Sequence, residues 1–488
     1  MSPLAIILTL GTYIALLFVV AWLAARNTSG AAFFTGGRTT HRLVAAVAMV
    51  GAAMSGVTFI SVPGSVAADG FSYLQTTFGF VVGYIVIAYL LIPLYYRLGV
   101  VSLYEYLDQR FNIVAHRTGA WMFFISKILS ASLRAYVICV VLQGLLYDHY
   151  HIPFALNATL MMTLVWLYTR RGGVRSVVWV ETLKTTLMVA SVALCIVFVI
   201  NALNFNIGEA LSAITASDYS TILFVDDPLD RRYFWKQFIA GIFLVVAMTG
   251  LDQDMMQTIL SCRNKRDAQR GMMQSIAIQV VVITMFLCLG ALLYLFVDQQ
   301  GLSIERSDDL FGFVATQCGL PLAVGVLFVL GLVASTYSSA GSALTALTTA
   351  LTLDICDGRK RYDTATEAGA QGMERLRKRN HTLVAIVITL IIIAFNRWSS
   401  AGAITLIFTM ASYTYGPLLG LFAFGLFTKR SVAPHAIPLI AIAAPTLSYI
   451  IARNSVAWFG GYVFSYEVLI LNATITLFGL FLASRRVR

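Results

Sequence analysis

Residues 44–70 read VAAVAMVGAAMSGVTFISVPGSVAADG, an apolar run that is long enough to cross a membrane. The run is dense in small residues and is interrupted by Gly51, Gly56, Pro63 and Gly64. Within a helix, glycine costs about 1 kcal/mol and proline about 3 kcal/mol relative to alanine. The stretch therefore predicts a membrane helix that is irregular along its length. The alternative interpretation is that the small residues let neighbouring helices pack closely.

Composition places the whole chain in lipid. Apolar residues make up 59% of the 488 positions and charged residues 12%, whereas a soluble domain is about one-quarter charged. The mean hydropathy is +0.80. So much apolar surface cannot be buried inside a water-soluble globule of this size. The six cysteines lie mostly in apolar runs without a C-x-x-C pair, which favours small hydrophobic residues over disulfides or metal ligands.

The apolar runs predict an all-α membrane protein with about thirteen transmembrane helices. They are too long and continuous for barrel strands, and only helices or closed barrels satisfy their backbone groups in lipid. The first run lacks a preceding basic region and a small-residue cleavage site, so we expect a retained helix rather than a signal peptide. The predicted spans are 5–25, 43–67, 73–96, 118–146, 153–169, 176–200, 234–260, 272–297, 321–355, 380–396, 401–427, 433–452 and 463–484.

The lysines and arginines predict the orientation of these helices. Basic residues concentrate in cytoplasmic loops, and most of the 34 here fall in alternate loops if the N-terminus is outside and the C-terminus inside. The net charge of +11 is then a topology signal, with some attraction to anionic lipid. We expect the lipid bilayer as partner, no nucleic acid and no obligate protein partner. The inner loop 356–379 predicts a connector, and the outer segment 201–233 predicts a short helix or gate.

A second interruption lies in residues 247–257, which read AMTGLDQDMMQ. Asp252 and Asp254 lie deep in an apolar run, where acids are costly and usually functional. Alternatively they lie at the inner mouth, because Arg263 follows closely. Transporters often bind solute and ion where helices break. The two interruptions begin blocks of similar size, 43–200 and 234–427. Paired interruptions of this kind predict an inverted repeat.

Residues 334–355 carry a face of hydroxyl groups. Ser335, Ser338, Ser339 and Ser342 are spaced as i, i+3, i+4 and i+7, which places them on one face of a helix. Sodium is a hard cation that favours oxygen ligands. Hydroxyls opposite the freed carbonyls of a broken helix would supply such ligands. The alternative is that the serines bond to their own helix or across helices, but together with two interruptions the face favours a sodium site.

Six short segments occur in order along essentially the whole chain. They are residues 33–38 (FFTGGR), 55–64 (SGVTFISVPG), 101–112 (VSLYEYLDQRFN), 172–181 (GGVRSVVWVE), 252–257 (DQDMMQ) and 335–342 (STYSSAGS). Together they resemble the sodium/solute symporter family. The resemblance implies the leucine-transporter fold, with a five-plus-five inverted repeat and two discontinuous helices. It implies sodium-driven symport of a small polar solute by alternating access. The implied single transporter domain is 1–488, divided into an extra helix (5–25), two repeats (43–200, 234–427) and two C-terminal helices (433–484).

The resemblance also implies where sodium binds. The main site would use the backbone carbonyls of Gly51, Met54 and Ser335 and the hydroxyls of Ser338 and Ser339. A further cation site, present in some members, would retain Glu181, Ser338 and Ser342. Glu181 stands where the family has aspartate, and Gly341 stands at a serine position. Lys184 can pair with Glu181 and replace a cation there, which predicts one sodium ion per cycle. The alternative is a purely structural ion pair near the inner surface.

The solute is less constrained by the sequence. Arg134 lies in mid-span, where it could bind a carboxylate bidentately. Equally, it could pair with Asp252 and leave a neutral site that suits a sugar or polyol. Lys127 is predicted to snorkel towards the inner end of its helix. The candidate solutes are a sugar or polyol, sialic acid or another carboxylate, and an amino acid. The candidate solute-binding residues are Ala53, Ser55, Thr58, Gln75, Thr77, Arg134, Asp252, Gln253 and Tyr413, with Tyr415 as a second candidate lid.

Other functions compete with sodium symport. Proton-coupled symport on the same fold is the nearest alternative. A transporter-like membrane sensor would carry a signalling domain after Arg488, and we expect none. An enzyme would need convergent catalytic groups, whereas the six histidines lie in loops or at span ends. A channel would not need broken helices in both halves. We therefore expect a transporter, not an enzyme, in the plasma membrane and specifically in a bacterial inner membrane.

Overall fold

The computed structural model describes residues 3–25, 32–304, 306–398 and 403–485. The chain is 82% helical. Among the described residues, 8 helices are long and apolar enough to cross a membrane, or up to 10 if each of two bent helix pairs is one span. The protein is therefore a multi-pass membrane protein. A helix lies at each predicted span, but some are short, such as the 15 residues of Val468–Leu482, so thirteen crossings stays a prediction.

The helices are numbered in chain order. The first half of the chain contains α1 (Pro3–Ala25), α2 (Ala32–Thr35), α3 (Arg42–Ala53), α4 (Gly56–Asp69), α5 (Tyr73–Val86), α6 (Ile92–Leu98), α7 (Glu105–Arg110), α8 (Ile113–Leu142), α9 (Phe154–Ala202) and α10 (Ile207–Ala216). The second half contains α11 (Phe234–Val245), α12 (Gln253–Ile259), α13 (Lys265–Gln299), α14 (Leu310–Gln317), α15 (Leu322–Ala350), α16 (Gly358–Arg361), α17 (Glu367–Trp398), α18 (Ala403–Thr414), α19 (Gly416–Phe427), α20 (Ala436–Trp458) and α21 (Val468–Leu482). Two short antiparallel strands, β1 (Ser431–Val432) and β2 (Ser484–Arg485), pair near the C-terminus.

The predicted interruption in residues 44–70 is confirmed. Helices α3 and α4 meet at a bend of 62°, and Met54 and Ser55 between them have extended backbone. The backbone N–H of Ser55 donates to Thr58 Oγ1 at 3.2 Å, which closes the first turn of α4. At the break, the last carbonyl groups of α3 and the first N–H groups of α4 therefore have no hydrogen-bond partner within their own helix.

Close packing explains the glycines on the α4 side of the break. A β-carbon added to Gly56 would lie 2.2 Å from Ile138 Cδ1, and one added to Gly64 would lie 2.1 Å from the carbonyl oxygen of Ser307. Pro63 lies within α4 without ending it. Gly56 and Gly64 therefore fit the alternative interpretation, in which small residues let neighbouring helices pack closely. The break itself lies just before Gly56, at Met54 and Ser55.

The second predicted interruption is also confirmed. Helix α11 continues through a π-helical turn, Val246–Gly250, and α12 follows at a bend of 73°. Asp252 caps α12, because its Oδ1 accepts the backbone N–H of Asp254 at 2.8 Å. A carboxylate is favourable at this position, since the N-terminus of a helix carries partial positive charge.

Helix α9 comprises two helical stretches that meet at Gly173, whose backbone is non-helical. Both stretches reach the same part of α15, since Tyr168 bonds the Tyr337 carbonyl and Lys184 bonds Ser339. Gly173 has a φ of 52°, which glycine adopts without strain. A β-carbon there would lie 2.3 Å from the carbonyl oxygen of Phe33. The connector predicted between residues 169 and 176 is therefore reduced to a sharp turn at one glycine.

The inner loop 356–379 is not the simple connector that the sequence predicts. Helix α17 begins at Glu367, well before the predicted span, because the charged segment forms helical ion pairs such as Glu374–Lys378 at 2.6 Å. In the outer segment, the predicted short helix is α10. Residues 401 and 402 of the eleventh span, and the predicted inner residues Arg26, Arg486 and Arg488, lie outside the described residues.

The packing of the helices brings the two breaks to one place. Helix α12 packs against α3, α9 and α15, and α15 packs along α9. Helix α8 packs against both α15 and α4. The ends of the broken helices, the serine face of α15, and polar residues of α8 and α9 are therefore close to one another.

Candidate functional site

The serine face of α15 is buried, and its hydroxyls have different partners. Ser335 Oγ donates to the carbonyl oxygen of Leu332, and Ser339 Oγ donates to that of Ser335, at 2.7 and 2.8 Å. Ser342 Oγ donates to the Asp254 carboxylate across the helix interface. Ser338 Oγ is buried and has no hydrogen-bond partner within the described part of the chain. Bonding back to the same helix thus accounts for two of the four serines.

Lys184 of α9 lies among the oxygens that the family resemblance assigns to sodium. Its ammonium donates to the carbonyl oxygen of Gly51 and to Ser339 Oγ at 2.6 Å, and lies 3.2 Å from Glu181 Oε2. The predicted pairing with Glu181 is confirmed. Both side chains are fully buried within the protein. The ammonium also contacts two of the predicted main-site ligands, Gly51 and Ser339, and not the further site alone.

Glu181 presents one oxygen that lacks a donor. Both carboxylate oxygens are buried; Oε2 is paired with the Lys184 ammonium at 3.2 Å, and Oε1 has no hydrogen-bond donor among the described residues. A buried acceptor without a donor is costly, so the carboxylate depends on nearby positive charge. Glu181 and Ser338, two residues predicted for the further cation site, thus keep oxygens free for a cation. Ser342, the third, is held by Asp254.

The close approach of α3 to α9 depends on Gly51. A β-carbon there would lie 2.4 Å from Thr185 Oγ1 and 2.7 Å from Glu181 Oε2. Only glycine therefore lets the carbonyl of residue 51 and the carboxylate of Glu181 face the same ammonium without a shift of the helices.

Lys127 of α8 joins the two acids of the second break. Its Nζ lies 3.0 Å from Asp252 Oδ2 and 2.7 Å from Asp254 Oδ2. Tyr415 donates its hydroxyl to the same Asp252 oxygen at 2.6 Å. The prediction that Lys127 snorkels is wrong, because the side chain is 7% exposed and turned to the acids. The alternative placing of these acids at the inner mouth is also wrong, since both are buried in this cluster.

Arg134 is the cation of this region that stays unpaired. Within the described ranges it forms no hydrogen bond or ion pair, and its Nε is buried without a partner. The predicted alternative of an Arg134–Asp252 pair is wrong, because Lys127 and Tyr415 hold Asp252. A guanidinium carries five N–H donors, so Arg134 can still bind an anion.

Two cavities meet at Lys127 and Arg134. The acidic cavity, of about 10 Å³, is lined by Lys127, Arg134, Ser55, Glu181, Asp254, Ser339 and Ser342. The aromatic cavity, of about 70 Å³, is lined by Lys127, Arg134, Ala53, Tyr73, Phe80, Tyr84, Asp252 and Tyr415. A vestibule of about 670 Å³ lies beyond Tyr73 and is lined by residues that include Tyr413, Arg231, Tyr449 and Tyr466. Tyr73 lines both the vestibule and the aromatic cavity, so it separates them.

The predicted solute-binding residues divide into two groups. Ala53, Arg134 and Asp252 line the aromatic cavity, Ser55 lines the acidic cavity, and Tyr413 lines the vestibule. Thr58, Gln75, Thr77 and Gln253 line none of these three spaces.

The second group has partners within the fold. Gln75 Nε2 donates to the carbonyl oxygen of Arg232 at 2.8 Å, and Thr77 Oγ1 donates to that of Tyr73. Gln253 Nε2 donates to the carbonyl oxygen of Val101. Thr58 accepts the Ser55 N–H. Gln75 and Gln253 therefore hold distant segments together, while Thr77 and Thr58 bond within their own helices.

Lys127 and Tyr415 have larger roles than the sequence suggests. One available signal is spacing, since Lys127, Ser130 and Arg134 stand at i, i+3 and i+7 on one face of α8. All three line both the acidic and the aromatic cavity. Tyr415 lies between α18 and α19, and the signal for that break is the Gly416–Pro417 pair directly after it.

Fold and site define a multi-pass helical membrane protein in which two broken helices meet at a buried cluster of acids, cations and hydroxyls. Residues 33–438 match the sodium:solute symporter family. The chain belongs to that family.

Relatives of known type share most of the chain. It is 27% identical over 407 residues to the sodium-coupled monocarboxylate transporter 1 of Mus musculus, covering 81% of this chain and 64% of that protein, so it spans less than two-thirds of that relative. It is 20% identical over 492 residues to a sodium/sialic acid symporter of Proteus mirabilis, covering 96% and 93%. The solved structure of a substrate-bound, outward-open Na⁺-coupled sialic acid symporter has a TM-score of 0.83 at 17% identity over 99% of both chains. That likeness shows the fold.

Proposed function

We propose that this protein is a secondary active transporter that carries a small anionic solute together with sodium by alternating access. Membership of the sodium:solute symporter family supports sodium-coupled symport. Relatives described as transporters of monocarboxylates and of sialic acid support a carboxylate as solute. The single observation that carries the anion is the unpaired guanidinium of Arg134 at the junction of two cavities.

An anion at Arg134 follows from the partners of its neighbours. Asp252 and Asp254 already share Lys127. A cation in a low-dielectric interior is costly without an opposite charge, and guanidinium matches a carboxylate with two parallel hydrogen bonds. A sugar or polyol, which the sequence leaves open, would not supply that charge. A carboxylate in the aromatic cavity would.

The charge balance of the site offers a reason for coupling. Three acids, Glu181, Asp252 and Asp254, face three cations, Lys127, Arg134 and Lys184. The formal sum is zero. A bound monoanion makes the sum negative, and one sodium ion restores it. Because unbalanced charge is costly in this environment, each ligand then favours binding of the other, which is the requirement for thermodynamic coupling.

The acidic cavity is the sodium position that we favour. It is about 10 Å³ in volume, enough for one water-sized particle. Glu181 and Asp254 face it with Ser339 and Ser342, and Glu181 Oε1 has no hydrogen-bond donor among the described residues. The main site predicted from Gly51, Met54, Ser335, Ser338 and Ser339 is less favourable, because Lys184 bonds two of its five ligands.

We also propose an inverted repeat, an orientation of the termini and a membrane for this protein. The paired breaks of α3–α4 and α11–α12 support the five-plus-five inverted repeat in one transporter domain. The distribution of basic residues supports an outer N-terminus and an inner C-terminus. The match to a bacterial symporter along 96% of the chain supports a bacterial inner membrane.

A ligand-stability experiment tests this function. Detergent-purified protein is heated in sodium chloride or choline chloride at matched ionic strength, with lactate, N-acetylneuraminate or their neutral methyl esters. A ligand that binds only the folded state raises the unfolding midpoint. We expect at least one free acid to raise it in sodium and not in choline, and its ester to have no effect. Equal effects of acid and ester, or of the two salts, would contradict the proposal.

A further inference from the structure

We propose that the ammonium of Lys184 permanently takes the place of a sodium ion at the junction of α3, α9 and α15. Transported sodium is then confined to the adjacent acidic cavity. This inference rests on the proposed sodium-coupled transport and specifies how many ions it uses. One sodium ion accompanies each solute.

The geometry around Lys184 is that of a cation site. Oxygens from three helices converge on its Nζ: the carbonyl of Gly51 on α3, the hydroxyl of Ser339 on α15 and the carboxylate of Glu181 on α9. An ammonium has three N–H donors, so each has an oxygen partner here. Carbonyl, hydroxyl and carboxylate oxygens are also the ligands that hard cations prefer. The side chain is 0% exposed, so bulk solvent does not reach it.

A sodium ion cannot share this position with Lys184. The three oxygens already bond the ammonium, and a second positive charge beside it would be repelled strongly in a low-dielectric interior. The packing at the junction is tight, since a β-carbon on Gly51 would lie 2.7 Å from Glu181 Oε2. Lys184 therefore excludes sodium from the junction both by charge and by occupied ligands.

A tethered cation differs from a bound ion in one respect that matters for transport. A sodium ion leaves when its site opens, whereas the Lys184 ammonium remains attached to α9. It links the end of α3 to the serine face of α15 in every cycle without consuming the sodium gradient. The junction thus becomes a fixed hinge contact, and coupling depends on the acidic cavity alone.

Two substitutions at Lys184 test the inference. Lys184→Ala removes the ammonium and leaves Gly51, Glu181 and Ser339 around a cation-sized space. Lys184→Met removes the same charge but fills most of that space. Full-length purified protein is heated in sodium chloride and in choline chloride. We expect the sodium-specific rise of the midpoint to exceed that of the wild type by about 5 °C in Lys184→Ala, and not to exceed it in Lys184→Met.

The outcomes separate this inference from the function on which it rests. An unchanged sodium response in Lys184→Ala overturns the Lys184 inference, as does an equal gain in Lys184→Met. A wild type without any sodium response refutes sodium coupling, while a gain in Lys184→Ala still supports Lys184 as a resident cation. If Lys184→Ala folds in neither salt, sodium-22 binding to the wild type decides. One ion per protein supports the inference, and two ions overturn it.

Discussion

Lys127 and Arg134 lie on one face of α8, yet their partners divide the site between them. Lys127 is held by both acids of the second break, at 3.0 and 2.7 Å. Arg134, two turns further on, has no partner among the residues described. Both residues are basic and both lie in an apolar segment, so only the neighbouring helix distinguishes them. At the scale of single residues, Asp252 and Asp254 hold Lys127 and leave Arg134 as the residue that we propose to bind the solute.

Substitution of Arg134 tests this division. We expect Arg134→Gln to weaken binding of the carboxylate found in the stability screen by about 10- to 100-fold, since a charged hydrogen bond contributes about 1.5–3 kcal/mol. Arg134→Lys keeps the charge but loses the planar fork, so we expect an intermediate loss. The measurement is the concentration of that acid that gives half of the maximal thermal stabilisation in sodium. Unchanged half-saturation in Arg134→Gln would exclude Arg134 as the solute anchor.

At the scale of elements, the two breaks do what a continuous helix cannot. They place a helix end, with unsatisfied backbone groups, in the interior of the protein. The end of α3 directs the Gly51 carbonyl to Lys184, and the start of α12 is capped by Asp252. The first break thus positions the carbonyl that binds the Lys184 ammonium, and the second break positions the acids that bind Lys127. Helix α9 completes the junction, because it carries both Glu181 and Lys184.

The contact between α3 and α9 can be tested with two glycines. In Gly51→Ala, the new methyl group would lie 2.4 Å from Thr185 Oγ1, and overpacking of this kind costs about 1–3 kcal/mol. We expect a lower unfolding midpoint and weaker sodium-dependent stabilisation, because the methyl group would also lie 2.7 Å from Oε2 of Glu181, which lines the acidic cavity. Gly11→Ala in α1 is the matched control, since its added β-carbon meets nothing within 4 Å. Similar midpoints for the two variants would contradict this account of the junction.

The sequence predicts the elements better than their contacts. Residues 44–70 and 247–257 predict both broken helices, because glycine, proline and charge are rare inside a regular membrane helix. The exact break at Met54–Ser55 was not predictable, since Gly56 serves packing against Ile138. The contacts of Lys127 with Asp252 and of Lys184 with Gly51 were not predictable for a related reason. Their partners lie 125 and 133 residues away along the chain, and no local pattern reveals which helices face each other.

For the whole molecule, the charge distribution predicts which side faces out. Basic loops remain on the cytoplasmic side, which places the vestibule with Asp308 outside and the start of α13 with Arg266 inside. On a cysteine-free background, we expect Asp308→Cys to react with a membrane-impermeant maleimide on intact cells. Arg266→Cys should react only after permeabilisation. The reverse pattern of labelling would invert the proposed topology.

The whole-molecule claim is that a sodium gradient drives uptake of an anion. The most direct measurement is uptake of labelled lactate and N-acetylneuraminate, with their methyl esters as controls, into proteoliposomes that hold purified protein. We predict that an inward sodium gradient accelerates uptake of at least one acid, and that collapse of any pH gradient at fixed sodium leaves this uptake unchanged. Uptake that follows the pH gradient and does not respond to sodium would contradict the account.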